Sequence, residues 1–443
     1  MGARAVVAGL GKTGISVVRY LLRNGWQVSV TDTRATPPGL DELRALAPEV
    51  TASLGALDAA LLTGADCVVA SPGLPLADSF FGAARRMRVP VIGDIELFAR
   101  SGASPVVGIT GTNGKSTVTT LVARMAEKAG RVTRAGGNLA PPALDLLEGV
   151  PADLYVLELS SYQLETTTSL RLAAATVLNV TPDHLDRYAD LNAYAAAKAR
   201  IFDHAAVAVI NLDDPVVAIM ADATAATRCV TFSLRADKGA DFCVAGREGE
   251  DWLLCHGEPV LRVTDLRIVG LHNAANALAA LALGDALGLA LPAMLAALRE
   301  FPGLPHRSEW VADVAGVRYV NDSKGTNVGA TLAAVTGFPG TLLLILGGDG
   351  KQQDFSPLRA ALAGKVRLAL LIGRDAARIA AALDGVCALQ NCASLQEAVV
   401  AAARAAQPGD TVLLSPACAS LDMFRDYAHR GNVFADSVRR LAA

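Results

Sequence analysis

The segment Gly111-Thr112-Asn113-Gly114-Lys115-Ser116-Thr117 constrains this chain more than any other. An apolar run (105–110) leads into it and a helical pattern leaves it. Strand, glycine-bearing loop and helix in that order make a phosphate cradle. Backbone N–H groups and the helix N-terminus meet the β-phosphate, a lysine reaches the β/γ oxygens, and a hydroxyl takes Mg2+. On this reading Gly111, Thr112, Asn113 and Gly114 form the loop, Lys115 is the cation, and Ser116 or Thr117 supplies the hydroxyl. The match to G-x-x-x-x-G-K-[ST] fails at one position, where Ile109 stands for the first glycine. The strand-loop-helix setting outweighs a chance G-K-S, so an ATP or GTP site is expected.

Such a loop implies an α/β fold, and the chain has room for about three domains at roughly 150 residues each. Residues 5–8, a glycine turn, a helical pattern over 15–22 and a strand at 27–31 ending on Asp32 form a βαβ unit, with further strands at 66–70 and 89–92. Strands follow at 154–159, 175–180 and 207–211, with a helix at 192–202 between the last two. Residues 226–269 are short β-rich runs, and a strong helix begins at His272. Phe301-Pro302-Gly303-Leu304-Pro305 reads as a linker. Beyond it, strands at 317–322, 341–348, 366–373 and 411–416 alternate with helices. The expected fold is therefore α/β in three domains: Rossmann-like (1–93), central with the phosphate loop (94–303), and Rossmann-like again (304–443).

Forty Lys and Arg against 43 Asp and Glu leave a net charge of -3, without the basic footprint of a nucleic-acid binder. A hydrophobic content of 52% rules out wholesale disorder. The most apolar stretch, 277–291, is interrupted by Gly284 and Asp285, so a buried helix is expected rather than a membrane span. No secretory h-region opens the sequence. Seven cysteines without a C-x-x-C pair fit free thiols in a reducing compartment, so a cytoplasmic protein without structural zinc is expected.

Four further features carry chemistry. Gly9-Leu10-Gly11-Lys12-Thr13-Gly14 matches G-x-G-x-x-G, with Asp32 about 20 residues on. A dinucleotide, another diphosphate, or a packing turn without ligand all fit it. Glu158 sits in an apolar strand, where a lone carboxylate is costly unless it meets a cation. His184 follows a strand end, where it either faces the ligand crevice or, with Asp183, caps the next helix. Lys198 has mostly small apolar helical neighbours; it is either a neutral amine of depressed pKa or a solvated helix lysine.

The segments GITGTNGKSTVTTL, LELSSYQLE, NVTPDHLDRY, AAAKARIF, HNAANALAA, GLPHRSE, NDSKGTN, LGGDGK and SPACASLDMF resemble the Mur ligases. The resemblance runs over nearly the whole chain and is weakest in 35–65 and 215–265. The phosphate loop alone would also fit folylpolyglutamate synthase. NDSKGTN and SPACASLD resemble the member of the family that adds D-glutamate to UDP-N-acetylmuramoyl-L-alanine in peptidoglycan precursor synthesis.

That resemblance implies an ATP-dependent ligase working through an acyl phosphate, with two Mg2+ ions. Lys115 would neutralise the β/γ-phosphates, Ser116 or Thr117 would hold one Mg2+, and Glu158 and His184 the other. Lys198 matches the family's lysine carbamate, formed from CO2. Asn273, Asn276, Arg307 and Asp322 match ATP contacts. Leu10, Gly11, Lys12 and Thr13 would meet the diphosphate of UDP rather than of a dinucleotide. Asp32, Thr33 and Arg34 would read its uracil end, and Gly73 and Asn138 the sugar-peptide. Lys324, Thr326, Lys351, Ser420, Leu421 and Tyr427 match the D-glutamate pocket. Two positions depart from the pattern: Tyr427 stands where phenylalanine is usual, and Gly325 where alanine is usual. Nothing in the resemblance calls for nucleic acid, membrane or a second subunit, so a monomer is expected. A nicotinamide oxidoreductase, a phosphate-loop motor or switch, and a sibling ligase for another amino acid are the competing readings.

Overall fold

The computed structural model describes residues 2–442. Its first sheet joins β1 (Arg4–Ala8), β2 (Gln27–Asp32), β3 (Thr51–Leu54), β4 (Cys67–Ala70) and β5 (Val91–Ile92) in the order β3-β2-β1-β4-β5. Every pairing is parallel. The Ala/Val run of β1 follows from burial on both faces. Ala5 and Val7 pack with Ile15, Val18 and Leu21 of the helix Lys12–Arg23, while Val6 and Ala8 pack with Phe80, Phe81 and Ala84 on the other side. β5 is shorter than the expected 89–92, because Arg88 turns the chain (φ 60) and Pro90 has no N–H for a ladder.

The second sheet contains β6 (Val106–Thr110), β7 (Thr133–Gly137), β8 (Leu154–Glu158), β9 (Leu172–Val177), β10 (Ala205–Asn211), β11 (Arg228–Ser233), β12 (Phe242–Arg247), β13 (Glu250–Cys255) and β14 (Glu258–Arg262). Their order is β14-β13-β12-β11-β10-β9-β6-β8-β7. The β-rich stretch is thus an extension of the central sheet, parallel through β12 and then folded back as two hairpins. Each hairpin turns on two residues of positive φ, Glu248-Gly249 and His256-Gly257, the geometry that matches strand twist. β9 ends three residues before the expected 180. From Leu178 onward the backbone bonds to the phosphate loop: Leu178 N to Thr110 O, and Thr112 N to Asn179 O. The apolar stretch beginning at Ala277 lies in the helix Leu271–Ala286, whose residues Ala277 to Gly284 are buried against the sheet and the helix Lys115–Lys128. Among the described residues no helix is long and apolar enough to cross a membrane.

The third sheet contains β15 (Glu309–Val314), β16 (Val317–Asn321), β17 (Leu342–Gly347), β18 (Val366–Ile372), β19 (Ala388–Asn391) and β20 (Thr411–Leu414), ordered β15-β16-β20-β17-β18-β19. Only β15 is antiparallel. In the first two sheets the chain crosses from one side of a central strand to the other, at β1 and at β6. Ligand crevices open at such reversals, beyond the carboxyl ends of the strands.

Candidate active site

At the first reversal, the Gly9–Gly14 loop leaves β1. A Cβ on Gly14 would lie 2.0 Å from the Gly9 carbonyl oxygen, so only glycine lets the helix start beneath the loop. Asp32 is buried, and its carboxylate accepts four hydrogen bonds: from Leu10 N (2.7 Å), Arg34 N (2.8 Å), Arg34 Nε (2.9 Å) and Arg34 Nη2 (2.7 Å). Burial pushes this carboxyl up, but the guanidinium and backbone donors outweigh it and bring the pKa down to about 2. Four donors fill the acceptor sites of a carboxylate, so it has no free site for the ribose hydroxyl that a dinucleotide would present. Asp32 instead shapes the loop. Thr13 is half-buried, and Lys12, Thr33, Arg34 and Gly73 form the exposed rim.

At the second reversal the phosphate loop closes on Gly114, left-handed at φ 85. A Cβ there would come within 2.4 Å of Asn276 Oδ1. Lys115 Nζ donates to Gly111 O (2.8 Å) and Thr112 O (2.9 Å). Glu158, at the end of β8, accepts from Ser116 Oγ on Oε2 (2.5 Å) and from Asn138 Nδ2 on Oε1 (2.5 Å). These two donors satisfy the buried carboxylate, and Lys115 interacts with it through its charge. Among the described residues no ion pair includes Glu158. Thr117 is buried one residue on.

His184 does not cap a helix. It sits in a turn at φ 57, its N–H bonded to Asp183 Oδ1 (2.9 Å), and Asp190 caps the next helix (Leu191–Ala199). Its ring centroid lies 5.0 Å from that of Tyr162 and 6.0 Å from that of Tyr194. Burial lowers its pKa. Lys198 is 1% exposed, which overturns the solvated alternative. Its Nζ donates to Gly111 O (2.9 Å) and lies 4.4 Å from the centre of the Tyr194 ring. Burial, and then the charge of Lys115, hold its pKa well below the lysine range.

The third sheet closes this crevice. Arg307 stands between His306 and Ser308, both at positive φ, and its Nη2 donates to Ser116 Oγ at 2.6 Å. Asp322 accepts from Ser308 N (3.1 Å) and Ser415 Oγ (2.7 Å), and burial pushes its pKa up to about 6. Asn273 Nδ2 bonds Val269 O, and Asn276 Nδ2 bonds Asn273 Oδ1 at 3.2 Å. Asn113, Thr117, Asn273, Asn276, Arg307, Asp322 and Lys324 line one common cavity.

Lys324 lies 3.8 Å from the centre of the Tyr427 ring, and its pKa is brought down to about 8 by burial and by the charges of Arg307 and Lys115. Lys351 Nζ is 3.6 Å from Asp183 Oδ1. Burial raises the Asp183 carboxyl, yet Lys351, His184 and a backbone N–H together bring it below the usual range. Thr326 is half-buried, Ser420 is buried, and Leu421 stands exposed at the rim.

Four cations (Lys115, Lys324, Lys351, Arg307) and the buried amine of Lys198 thus surround three carboxylates (Glu158, Asp183, Asp322), an environment suited to polyanions. Among the described residues no three His, Cys, Asp or Glu side chains form a cation cage. The Ser116 hydroxyl and Glu158 carboxylate nonetheless suit Mg2+, which binds through one or two protein oxygens and takes the rest from phosphates and water.

Sequence reasoning passed over several lining residues: Asn179, Thr181, His272, Ser308 and Ser415. His272 is half-buried, with Nε2 3.4 Å from Ser308 Oγ. The only signal for these residues was their position beside motifs or strand ends.

Comparison with known proteins matches three family models in succession along the chain. Residues 3–93 match the "Mur ligase MurD-like, N-terminal domain", residues 109–284 the "Mur ligase middle domain" and residues 306–418 the "Mur ligase, glutamate ligase domain". A UDP-N-acetylmuramoylalanine--D-glutamate ligase of Nitrosococcus oceani is 51% identical, covering 100% of this chain and 97% of the relative. One from Methylobacillus flagellatus is 53% identical, covering 99% and 97%. The structure of UDP-N-acetylmuramate-alanine ligase MurC from Thermotoga maritima shares the fold at 19% identity and a TM-score of 0.62, covering 99% of this chain and all of that one. A pseudomurein peptide ligase type C from Methanothermus fervidus aligns equally well, at 18% identity and 0.62 over the same shares. With relatives at half identity along their full length, the chain belongs to the Mur ligase family.

Proposed function

We propose that this chain is an ATP- and Mg2+-dependent ligase that joins D-glutamate to UDP-N-acetylmuramoyl-L-alanine, acting in the cytoplasm as a monomer divided at residues 93 and 303. The observation that carries this reading is the convergence of the phosphate loop, Arg307 and Lys324 from two sheets on one cation-rich crevice. A carboxylate and a triphosphate repel, so their reaction needs cations that hold both. The full-length relatives named as D-glutamate ligases support the choice of substrates.

In the first step the alanine carboxylate oxygen takes the γ-phosphoryl group, giving an acyl phosphate and ADP. Lys115 and Arg307 offset the charge on the transferring group, and the loop Gly111 to Thr117 orients it. Asn273 and Asn276 hold the adenine end, and Asp322 accepts a hydroxyl of the nucleotide. Leu10 to Thr13 take the UDP diphosphate, and Gly73 and Asn138 the sugar-peptide. In the second step the D-glutamate amine attacks the acyl carbon, the C–O bond to phosphate breaks, and the amine proton leaves. Lys324, Thr326, Lys351, Ser420, Leu421 and Tyr427 position the amino acid, the lysines against its two carboxylates.

Mg2+, when bound, screens the phosphate oxygens and polarises the phosphorus. Ser116, Thr117, Glu158 and His184 are the residues that would hold two such ions. Lys198 belongs with them as a carbamate, its neutral amine adding CO2 and releasing one proton. Deep burial and the neighbouring Lys115 charge favour that neutral amine.

The test is ADP release with ATP, Mg2+ and UDP-N-acetylmuramoyl-L-alanine, adding D-glutamate, L-glutamate, L-lysine or meso-diaminopimelate in turn. Stimulation by D-glutamate alone is expected. Stimulation by another amino acid would make this a sibling ligase, and turnover without any amino acid would return the switch reading.

A further inference from the structure

We propose that Asn327 is a positioning residue. Its amide ties the amino-acid loop of the third sheet to the phosphate loop, so that the two come into register only together. The proposal rests on the ligase reading above.

Asn327 ends the loop that carries Asp322 and Lys324, and it is 3% exposed. Its Oδ1 accepts from Ala330 N (2.8 Å), capping the helix Val328–Gly337, and also lies 3.4 Å from Asn113 Nδ2. Its Nδ2 donates to Asn113 Oδ1 (3.2 Å) and to Asp183 Oδ2 (3.2 Å). Both partners are themselves fixed. Asn113 N donates to Asn179 Oδ1 (2.8 Å), and Asn113 O accepts from Asn179 Nδ2 (3.1 Å). Asp183 faces Lys351 through its other oxygen at 3.6 Å. One side chain therefore touches the phosphate loop and, through Asp183, the neighbourhood of His184 and Lys351.

Helix capping alone does not explain an amide here. A cap needs only an acceptor oxygen, and serine, threonine or aspartate would serve as well. What asparagine adds is a donor beside that acceptor. Two primary amides facing each other can each give and accept, and the spare N–H reaches the carboxylate. Asn327 is buried and Asn113 half-buried, so losing the Asn327 amide leaves the Asn113 side chain and Asp183 Oδ2 without that donor, while losing the Asn113 side chain leaves one Asn327 N–H unpaired. The cost falls on the arrangement that brings the two loops together, not on either domain alone.

The experiment compares Asn327→Ser, which keeps the cap but is too short for the pair, with Asn113→Ala and the double variant. The readouts are kcat/KM for D-glutamate and for ATP, the Kd for the UDP substrate, and Tm. Each single variant should lose roughly tenfold in both kcat/KM values, as expected for a buried neutral hydrogen-bond pair. Affinity for the UDP substrate and Tm should stay at wild-type values. The double variant should be no worse than the poorer single, because both lose the same contact. Asn327→Asp also caps the helix but places a carboxylate against Asp183, so it should fall below Asn327→Ser. If Asn327→Ser fails to fold, that variant decides.

Wild-type kinetics in Asn327→Ser, or losses that multiply in the double variant, would overturn the proposal. So would Asn327→Asp at wild-type activity. A wild-type protein that releases no ADP with any amino acid sinks the ligase reading itself, and this proposal with it.

Discussion

Lys324 gives the sharpest handle on amino-acid recognition. Burial, reinforced by the charges of Arg307 and Lys115, brings its pKa from the lysine range down to about 8. A group with that value is about 90% protonated at pH 7 and about 10% at pH 9. If the ammonium meets a substrate carboxylate, kcat/KM for D-glutamate follows the protonated fraction of the free enzyme and falls roughly tenfold over those two units. The substrate amine titrates in the opposite sense, gaining nucleophilicity as pH rises, so the raw profile mixes two effects. Lys324→Arg separates them, since a guanidinium keeps its charge throughout this range. The assay is coupled ADP release with D-glutamate titrated at half-unit steps from pH 6.5 to 9.5 for both proteins. The ratio of wild-type to Lys324→Arg kcat/KM should drop roughly tenfold from pH 7 to 9, with an inflection near 8. A flat ratio would refute the assignment of that charge to the amino-acid carboxylate.

Lys115→Ala should abolish phosphate release while the UDP-substrate Kd, measured by calorimetry, stays unchanged, because the two sites lie at different sheet reversals; equal loss of both would mean misfolding. If Lys198 acts as a carbamate, stripping CO2 should lower activity and bicarbonate restore it, with an added carbamate visible in a crystal structure; insensitivity to bicarbonate together with an unmodified amine counts against it. Asp94 is fully buried beside the first linker, its Oδ2 accepts from Gln163 Nε2 at 3.1 Å, its Oδ1 has no partner among the described residues, and burial pushes its pKa up to about 6. A carboxyl with a raised folded pKa stabilises the fold below its unfolded value and loses that contribution as pH rises through the folded one. Asp94→Asn should therefore raise Tm relative to wild type at pH 8, by something on the order of 1–3 kcal/mol of stability, and bring little gain at pH 4; an equal shift at both pH values would show that ionisation is not the cause.

Much of the site was legible before any coordinates. The Gly111–Thr117 loop and Glu158 sit at strand ends and His184 in the loop that follows β9, and strand ends in parallel sheets face the crevice whatever else the chain does. What local sequence leaves open follows one pattern. Lys198 looks like an ordinary helix lysine because local sequence does not reveal that Tyr194 and the Gly111 carbonyl close over it. Glu158 in its apolar strand calls for partners that local sequence does not name, because Ser116 and Asn138 lie 42 and 20 residues away. Asp32 leaves a dinucleotide, another diphosphate and a packing turn open, because periodicity does not show that Arg34 and Leu10 fill its carboxylate.

The sequence by itself determined the α/β class, the three successive domains and the strand-loop-helix at Gly111–Thr117. These depend on periodicity, glycines and short-range order, which local chemistry dictates. Only the tertiary structure decided which charges meet. Arg307 reaches Ser116, Lys351 faces Asp183 and Asn327 pairs with Asn113 across separate sheets. Burial and Coulomb interaction depend on distance through space, and packing the second and third sheets around one crevice sets that distance.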